Sequence, residues 1–373
     1  MPSIPRRFRV PAGAAALAAL ATVAGGALPN SVFDAHAFGD CARPAAAPRA
    51  AAARLPAASA GRLLVANQRS GSATIVDLAT GAATHLRAAE EPHGAAVSPD
   101  GRWGVVTDYG RRNDGNTLVV IDMARKRVAR TIGVGRYRAV HDVAFVPGSN
   151  TRVVVTAQAT RHVIEVDLAG GRVLGAAATR ADGSHSLALA PDGRTLFTAN
   201  EQAESVSQID LPARGFVAHL PVGSNPLGLD VARGGREVWV GTREGGVVRV
   251  IDVARRAVVA EIPGVEFADD IVLTPDGRRA AITDLRCGVV HVADVAGRRL
   301  LGAIPLARPA KVVVAPDSRT AFVTLARENS VAVVDLETRR VLARHRTQRT
   351  PDGVAWGPAL RQPAPRPAAP RAR

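Results

Sequence analysis

Cysteine, lysine and aromatic residues are all scarce in this 373-residue chain. Its two cysteines, Cys41 and Cys287, are too few for a disulfide scaffold and supply no closely spaced cluster for zinc or iron–sulfur. Aromatics make up 3% of residues, which leaves few platforms on which single-stranded nucleic acid would stack. Of 48 basic residues only Lys126 and Lys311 are lysine, so the formal charge of +15 is almost all arginine. In an Ala-rich, Arg-rich chain that is a compositional bias before it is a nucleic-acid signature. A glycine-rich phosphate loop, a G-x-S-x-G elbow and a C-x-x-C-H haem attachment are also missing. What is abundant is hydrophobic content, 47%, which excludes global disorder.

The N-terminus reads as a targeting segment. Arg6, Arg7 and Arg9 precede an apolar run from Ala12 to Leu28, and Ala35-His36-Ala37 has the small-x-small form of a cleavage site. A signal peptide over 1–37 is therefore expected, with the mature chain starting near Phe38 in the periplasm or outside the cell and no transmembrane segment left after cleavage. A retained anchor is the competing reading, but the run is Ala- and Gly-rich and short of what a spanning helix needs. The Arg6-Arg7 pair leaves Sec and twin-arginine export open. Residues 38–60 and 359–373 are Ala-, Pro- and Arg-rich, lack large apolar side chains, and are expected to form a flexible linker and a disordered tail. Residues 1–60 and 359–373 carry +4 each, leaving +7 on 61–358.

That middle part is periodic. An apolar residue, Asp and a second apolar residue recur around Asp77, Asp122, Asp167, Asp210, Asp252, Asp294 and Asp335, at gaps of 45, 45, 43, 42, 42 and 41 residues. Seven copies at this period indicate a propeller or a solenoid. Within Pro92 to Gly135 four short β-rich runs, "GAAV", "WGVVT", "TLVVID" and "VARTIGV", are separated by turn sequences, which predicts a four-stranded antiparallel blade and no helical period. The chain is thus read as all-β, a seven-bladed β-propeller forming one domain over 61–358. "PDGVAWGP" (351–358) matches the first strand of a repeat while residues 61–91 supply only the other three. Blade one is therefore expected to be built from both termini, which closes the ring and removes exposed sheet edges.

The unit "SPDGRWGVVTDYG…GNTLVVID…VARTIGVG" resembles the YVTN-type repeat of YncE-like β-propellers, over about 300 of the 373 residues. The resemblance implies a seven-bladed, commonly exported propeller. No Trp-Asp dipeptide stands at the strand ends, which weakens a WD40 assignment; NHL-type and lactonase-like propellers stay open as close neighbours.

The most repeated residues read as scaffold. Pro99-Asp100-Gly101, Pro191-Asp192-Gly193 and Pro275-Asp276-Gly277 are tight turns, and the seven recurring aspartates are expected to anchor the hairpin after the third strand. The site is sought at the channel mouth, where the openings of the innermost strands share a face with the second-to-third strand loops. Aligned, the middle position of those openings reads His93, His141, His185, Leu227, Asp269, Ala310 and Asp352. Three histidines in one column on consecutive blades predict a ligand site. Three imidazoles with an open position form a zinc or copper set, or would hold a haem-like group or an anion. Asp269 and Asp352 across the rim, and Asp108 and Asp284 in top-face loops, are candidate bases or further ligands. Lys311 and Tyr109 complete the candidate set, the latter from the long loop Asp108 to Asn116. The bland alternative is that the histidines are structural and bond to neighbouring backbone, and a one-residue slip in register would turn all three away.

The leading functional expectation is a monomeric, exported, non-catalytic propeller that binds a small molecule or an envelope protein at the mouth. The alternative is a metal- or cofactor-dependent periplasmic enzyme, lactonase-like or redox, using His93, His141 and His185. A third is DNA binding through the basic surface, opposed by the small charge on the folded part and by Trp103 and Trp239 at strand positions. Pairing of Cys41 with Cys287 is left open.

Overall fold

The computed structural model describes Cys41 and residues 60–359. The expected signal peptide, linker and tail otherwise lie outside the described residues. Among these residues the only helical pieces are three short 3-10 turns, and no helix is long and apolar enough to cross a membrane.

Strands run from Gly61–Asn67 to Pro351–Pro358 and form seven four-stranded antiparallel sheets. Six sheets are continuous in sequence: blade 2 (92–133), blade 3 (140–178), blade 4 (184–221), blade 5 (226–263), blade 6 (268–305) and blade 7 (309–346). In blade 1 the innermost strand is Pro351–Pro358, paired antiparallel with Gly61–Asn67 from Gly61↔Pro358 to Asn67↔Pro351. The expected closure by the two ends of the chain is thus present, and it leaves no blade without its inner strand.

The strands form for local reasons that the repeats state seven times. Second and third strands such as Arg152–Ala157 (RVVVTA) and Ser330–Asp335 (SVAVVD) are β-branched runs buried on both faces, as the middle of a stacked blade requires. Each third strand ends on an aspartate that folds the next hairpin. Asp77 Oδ1 accepts the N–H groups of Ala79 and Thr80, Asp122 Oδ1 those of Ala124 and Arg125, and Asp335 Oδ1 those of Glu337 and Thr338. Four residues after each of the seven aspartates the chain turns left-handed, at Gly81, Lys126, Gly171, Arg214, Arg256, Arg298 and Arg339. In the Pro-Asp-Gly turns the aspartate likewise bonds locally, Asp192 Oδ1 accepting from the N–H groups of Arg194 and Thr195. Both sets of aspartates are scaffold, as expected.

The core is a ring of interfaces. Seven main apolar clusters are distinguished among the described residues, one between each pair of neighbouring blades. Leu63, Val65 and Val354 of blade 1 pack on Phe322, Val331 and Val333 of blade 7, while Leu64, Ala66 and Ile75 pack on Val106, Val119 and Ile121 of blade 2. At roughly 1.5–3 kcal/mol per buried aliphatic side chain, these mostly aliphatic faces hold each blade to the next. Trp239 is fully buried in the blade 5–6 cluster and Trp103 packs against the blade 2–3 cluster, so neither is a stacking platform.

Cys41 is bonded to Cys287, with Cα atoms 5.4 Å apart. Cys287 sits between the second and third strands of blade 6, and its N–H donates to Asp284 Oδ1.

Candidate functional site

All seven innermost strands share one irregularity. Their register with the second strand shifts just after the first residue, between Pro92 and Ala95, Val140 and Val143, Ser184 and Leu187, Pro226 and Leu229, Ala268 and Asp270, Pro309 and Val312, and opposite Asn67 in blade 1. A bulge re-aims the side chains it contains. It falls on the column that holds His93, His141 and His185.

Threonines of the second strands fix the bulges, and in blades 2 and 3 they also tie the blade to the next. Gly94 N–H donates to Thr107 Oγ1 (2.7 Å), whose hydroxyl donates to the His141 carbonyl of blade 3 (2.6 Å). Asp142 N–H donates to Thr156 Oγ1 and that hydroxyl to the His185 carbonyl of blade 4. In blades 1 and 2 the crossing is close enough to demand glycine. A Cβ on Gly94 would run into the His141 carbonyl oxygen, and one on Gly353 into that of His93. The close approach brings the imidazoles together: the ring centroids of His93 and His141 are 3.9 Å apart, those of His141 and His185 3.9 Å, and those of His93 and His185 6.5 Å.

The three histidines therefore form a stack rather than three nitrogens converging on one point. His93 Nδ1 lies 2.7 Å from Asp352 Oδ2, and His185 Nδ1 lies 3.0 Å from Ser186 Oγ. No group of three or more His, Cys, Asp or Glu among the described residues is arranged to hold a metal ion. The expected zinc or copper set is not the arrangement these rings adopt. His141, between the other two, is 3% exposed and its Nδ1 is buried with no hydrogen-bond partner. Burial first, then the neighbouring His185, His93 and Lys311, holds its pKa well below the ordinary imidazole value; burial, then Lys311 and His93, does the same for His185. Both rings are neutral at pH 7.

The other expected residues divide. Tyr109 is delivered to the mouth by its loop, with its ring 5.3 Å from those of His93 and His141, and burial followed by Glu201 and Glu91 pushes its hydroxyl up to about 12. Lys311 Nζ donates to the Asp269 carbonyl (3.1 Å) and pairs with the Asp269 carboxylate (3.4 Å). Burial works against its charge, but Asp269, Asp270, Asp352 and Asp142 outweigh it and keep the lysine protonated. Asp108 and Asp284 are placed elsewhere: Asp108 accepts from the N–H of Glu91 and the hydroxyl of Thr117, and Asp284 from the N–H groups of Glu266, Arg286 and Cys287. Those two carboxylates organise loops.

Below the histidines lies a cavity of about 400 Å³, lined by inner-strand residues of all seven blades, including His93, His141, Asp142, Asp230, Asp270 and Lys311. Asp142, Asp230 and Asp270 went unremarked in the sequence. Two of them directly follow the scored column, which was the available signal; Asp230 is an isolated carboxyl in an apolar strand. Each bridges to the next blade, Asp142 Oδ2 accepting from Leu187 N–H, Asp230 Oδ2 from Leu273 N–H and Asp270 Oδ2 from Val312 N–H. Burial raises all three carboxyl pKa values, Asp230 to about 6 and Asp270 to about 7, with backbone N–H bonds pulling the other way and, for Asp142 and Asp270, Lys311 as well.

A closed ring of seven such blades, with its ionisable groups gathered on the axis, defines a seven-bladed β-propeller. Residues 152–279, from within blade 3 to within blade 6, match the model of the YNCE-like beta-propeller family, so the likeness carried by the repeats holds in the sequence of that stretch. No curated protein matches the chain. Among solved structures, Kuenenia stuttgartiensis hydrazine synthase is similar at 19% identity and a TM-score of 0.66, over 82% of this chain and 99% of that one. A functionally unknown protein from Desulfotomaculum acetoxidans DSM 771 is similar at 14% identity and 0.68, over 80% and 99%. Likeness at these identities is likeness of fold alone.

Proposed function

We propose that the protein is an exported, non-catalytic binding propeller that takes a small ligand in its axial cavity through the histidine-lined mouth. The observation that carries this is the cavity itself: about 400 Å³, walled by all seven blades, with buried ionisable side chains held in fixed positions by interblade hydrogen bonds. Export is supported by the signal-like N-terminus and by the Cys41–Cys287 disulfide, a bond that persists in oxidising compartments. A metal-dependent enzyme is less well supported because the histidine rings stack. DNA binding is less well supported because about half of the net charge lies outside the ring and Trp239 is in the core.

The test is a thermal-shift screen of the full chain against a panel of cationic, neutral and anionic small molecules, repeated on Ala144→Phe, which places a large ring in the cavity wall. Ligands of the cavity raise the melting temperature of the wild type and fail to do so in the variant. Stabilisation that is the same in both, or none from any compound, sinks the proposal.

A further inference from the structure

The inner strands carry five carboxylates and one lysine at the mouth and cavity, with Glu91 and the Glu201–Arg243 pair beside them at the mouth. Two of the five have a basic partner, Asp269 with Lys311 and Asp352 with His93. The other three, Asp142, Asp230 and Asp270, all line the cavity and are supported by backbone N–H groups. Asp142 and Asp230 use both oxygens in this way; Asp270 uses Oδ2, and its Oδ1 carries no such bond. Half-buried carboxylates whose one inner-strand cation, Lys311, is already paired with Asp269 are costly, and a fold that retains three of them around one hole is suited to a positive charge supplied from outside.

Three further observations narrow the ligand. Lys311 does not serve an anion, since its ammonium is taken up by the carbonyl and carboxylate of Asp269. His141, nine-tenths buried and on the cavity wall, has a ring nitrogen with no partner, which a ligand N–H would satisfy if the ring turned it to the cavity. Between these polar groups the wall carries apolar side chains, among them Phe145, Leu189, Leu229, Ile271, Val312 and Val354, which suit a hydrocarbon body beside the charge.

We propose that the axial cavity selects a small organic cation, an ammonium group on an apolar body, with the ammonium seated against Asp142, Asp230 and Asp270. This rests on the reading that the cavity binds a small molecule, and it adds the class of that molecule. A bare metal ion suits the wall less well, because most of the carboxylate oxygens are already engaged by N–H donors and the walls are hydrocarbon.

Calorimetric titration of the full-length protein at pH 8 with hexylammonium, 1-hexanol and hexanoate tests the class without any mutation. Hexylammonium is expected to bind saturably and at least about tenfold more tightly than its neutral and anionic counterparts. Asp270→Asn, which keeps an oxygen for Val312 N–H, is expected to lower that affinity about tenfold or more, while Asp114→Asn in the exposed loop leaves it unchanged. Equal or tighter binding of hexanol or hexanoate overturns the cation while sparing the cavity as a binding site. Equal stabilisation by sodium or calcium chloride overturns the organic ligand. Absence of binding by all three six-carbon probes overturns the inference together with the reading beneath it.

Discussion

Asp352 Oδ2 stands 2.7 Å from His93 Nδ1, joining the strand that closes the ring in blade 1 to the innermost strand of blade 2. The pair belongs at once to the scaffold and to the mouth. Burial works against the Asp352 charge, yet the adjacent His93 and then Lys311 hold the carboxyl below its ordinary range. A carboxyl depressed in the folded state adds stability above its unfolded value near pH 4, and that contribution is lost as pH falls through the folded value. Asp352→Asn is therefore expected to cost about 1–3 kcal/mol in urea unfolding at pH 7 and little at pH 3. An equal loss at both pH values would assign the effect to packing.

Closure gives a second expectation. Ending the chain at Thr350 removes the strand that pairs with Gly61–Asn67 and exposes the edges of blades 1, 2 and 7. The truncated protein is expected to lose more than about 10 °C of melting temperature or its cooperative transition altogether. Scanning calorimetry reads this directly, and a transition at the wild-type temperature would contradict it.

The unpaired carboxylates make stability depend on pH with the opposite sign. Asp230 and Asp270 have folded values raised to about 6 and about 7, so the folded state takes up protons first and these groups favour folding increasingly as pH drops from 8 towards 4. His141 and His185 act against this, because their depressed values let the unfolded chain gain protons first below about pH 6.5. Comparing wild type with Asp230→Asn/Asp270→Asn isolates the acids, since both proteins keep the histidines. The variant is expected to be the more stable by more than about 2 kcal/mol at pH 8 and to lose that lead by pH 5. A lead that does not change with pH would show that the two carboxyls are not uncompensated charges.

The disulfide spans 246 residues of sequence. Cys287→Ser is expected to cost roughly 2–5 kcal/mol under oxidising conditions and nothing against a reduced wild type. Denaturant unfolding with and without dithiothreitol, beside a thiol count, checks both halves. Two free thiols in the unreduced protein would remove the bond.

Much of this was legible in the sequence because a propeller repeats its local rules. The aspartate that ends each third strand and the four β-rich runs recur seven times, and the Pro-Asp-Gly turn three times, so a misreading in one blade is corrected by the others. The shortage of aromatics found its explanation in blade faces filled by Val, Ile, Leu and Ala. The histidine column was visible too, as was the use of "PDGVAWGP" to complete blade 1.

The character of the site was not legible. Three histidines in one column are compatible with a metal set or a stack, and only the bulge at each inner-strand opening, with Gly94 admitting the His141 carbonyl, decides that the rings pack on one another in a tilted stack. Asp108 and Asp284 looked like rim ligands from their loops, but each is spent on backbone N–H groups nearby. Asp142, Asp230 and Asp270 looked like ordinary strand residues until seven strands converged and turned them onto one axis.

By itself the sequence determined what depends on neighbours along the chain: strand, turn, period, and therefore blade number and closure. What the tertiary structure decided is which ionisable groups share the axial cavity, because only convergence of strands some 40 residues apart sets the distances and burial from which such a charge takes its partner and its pKa.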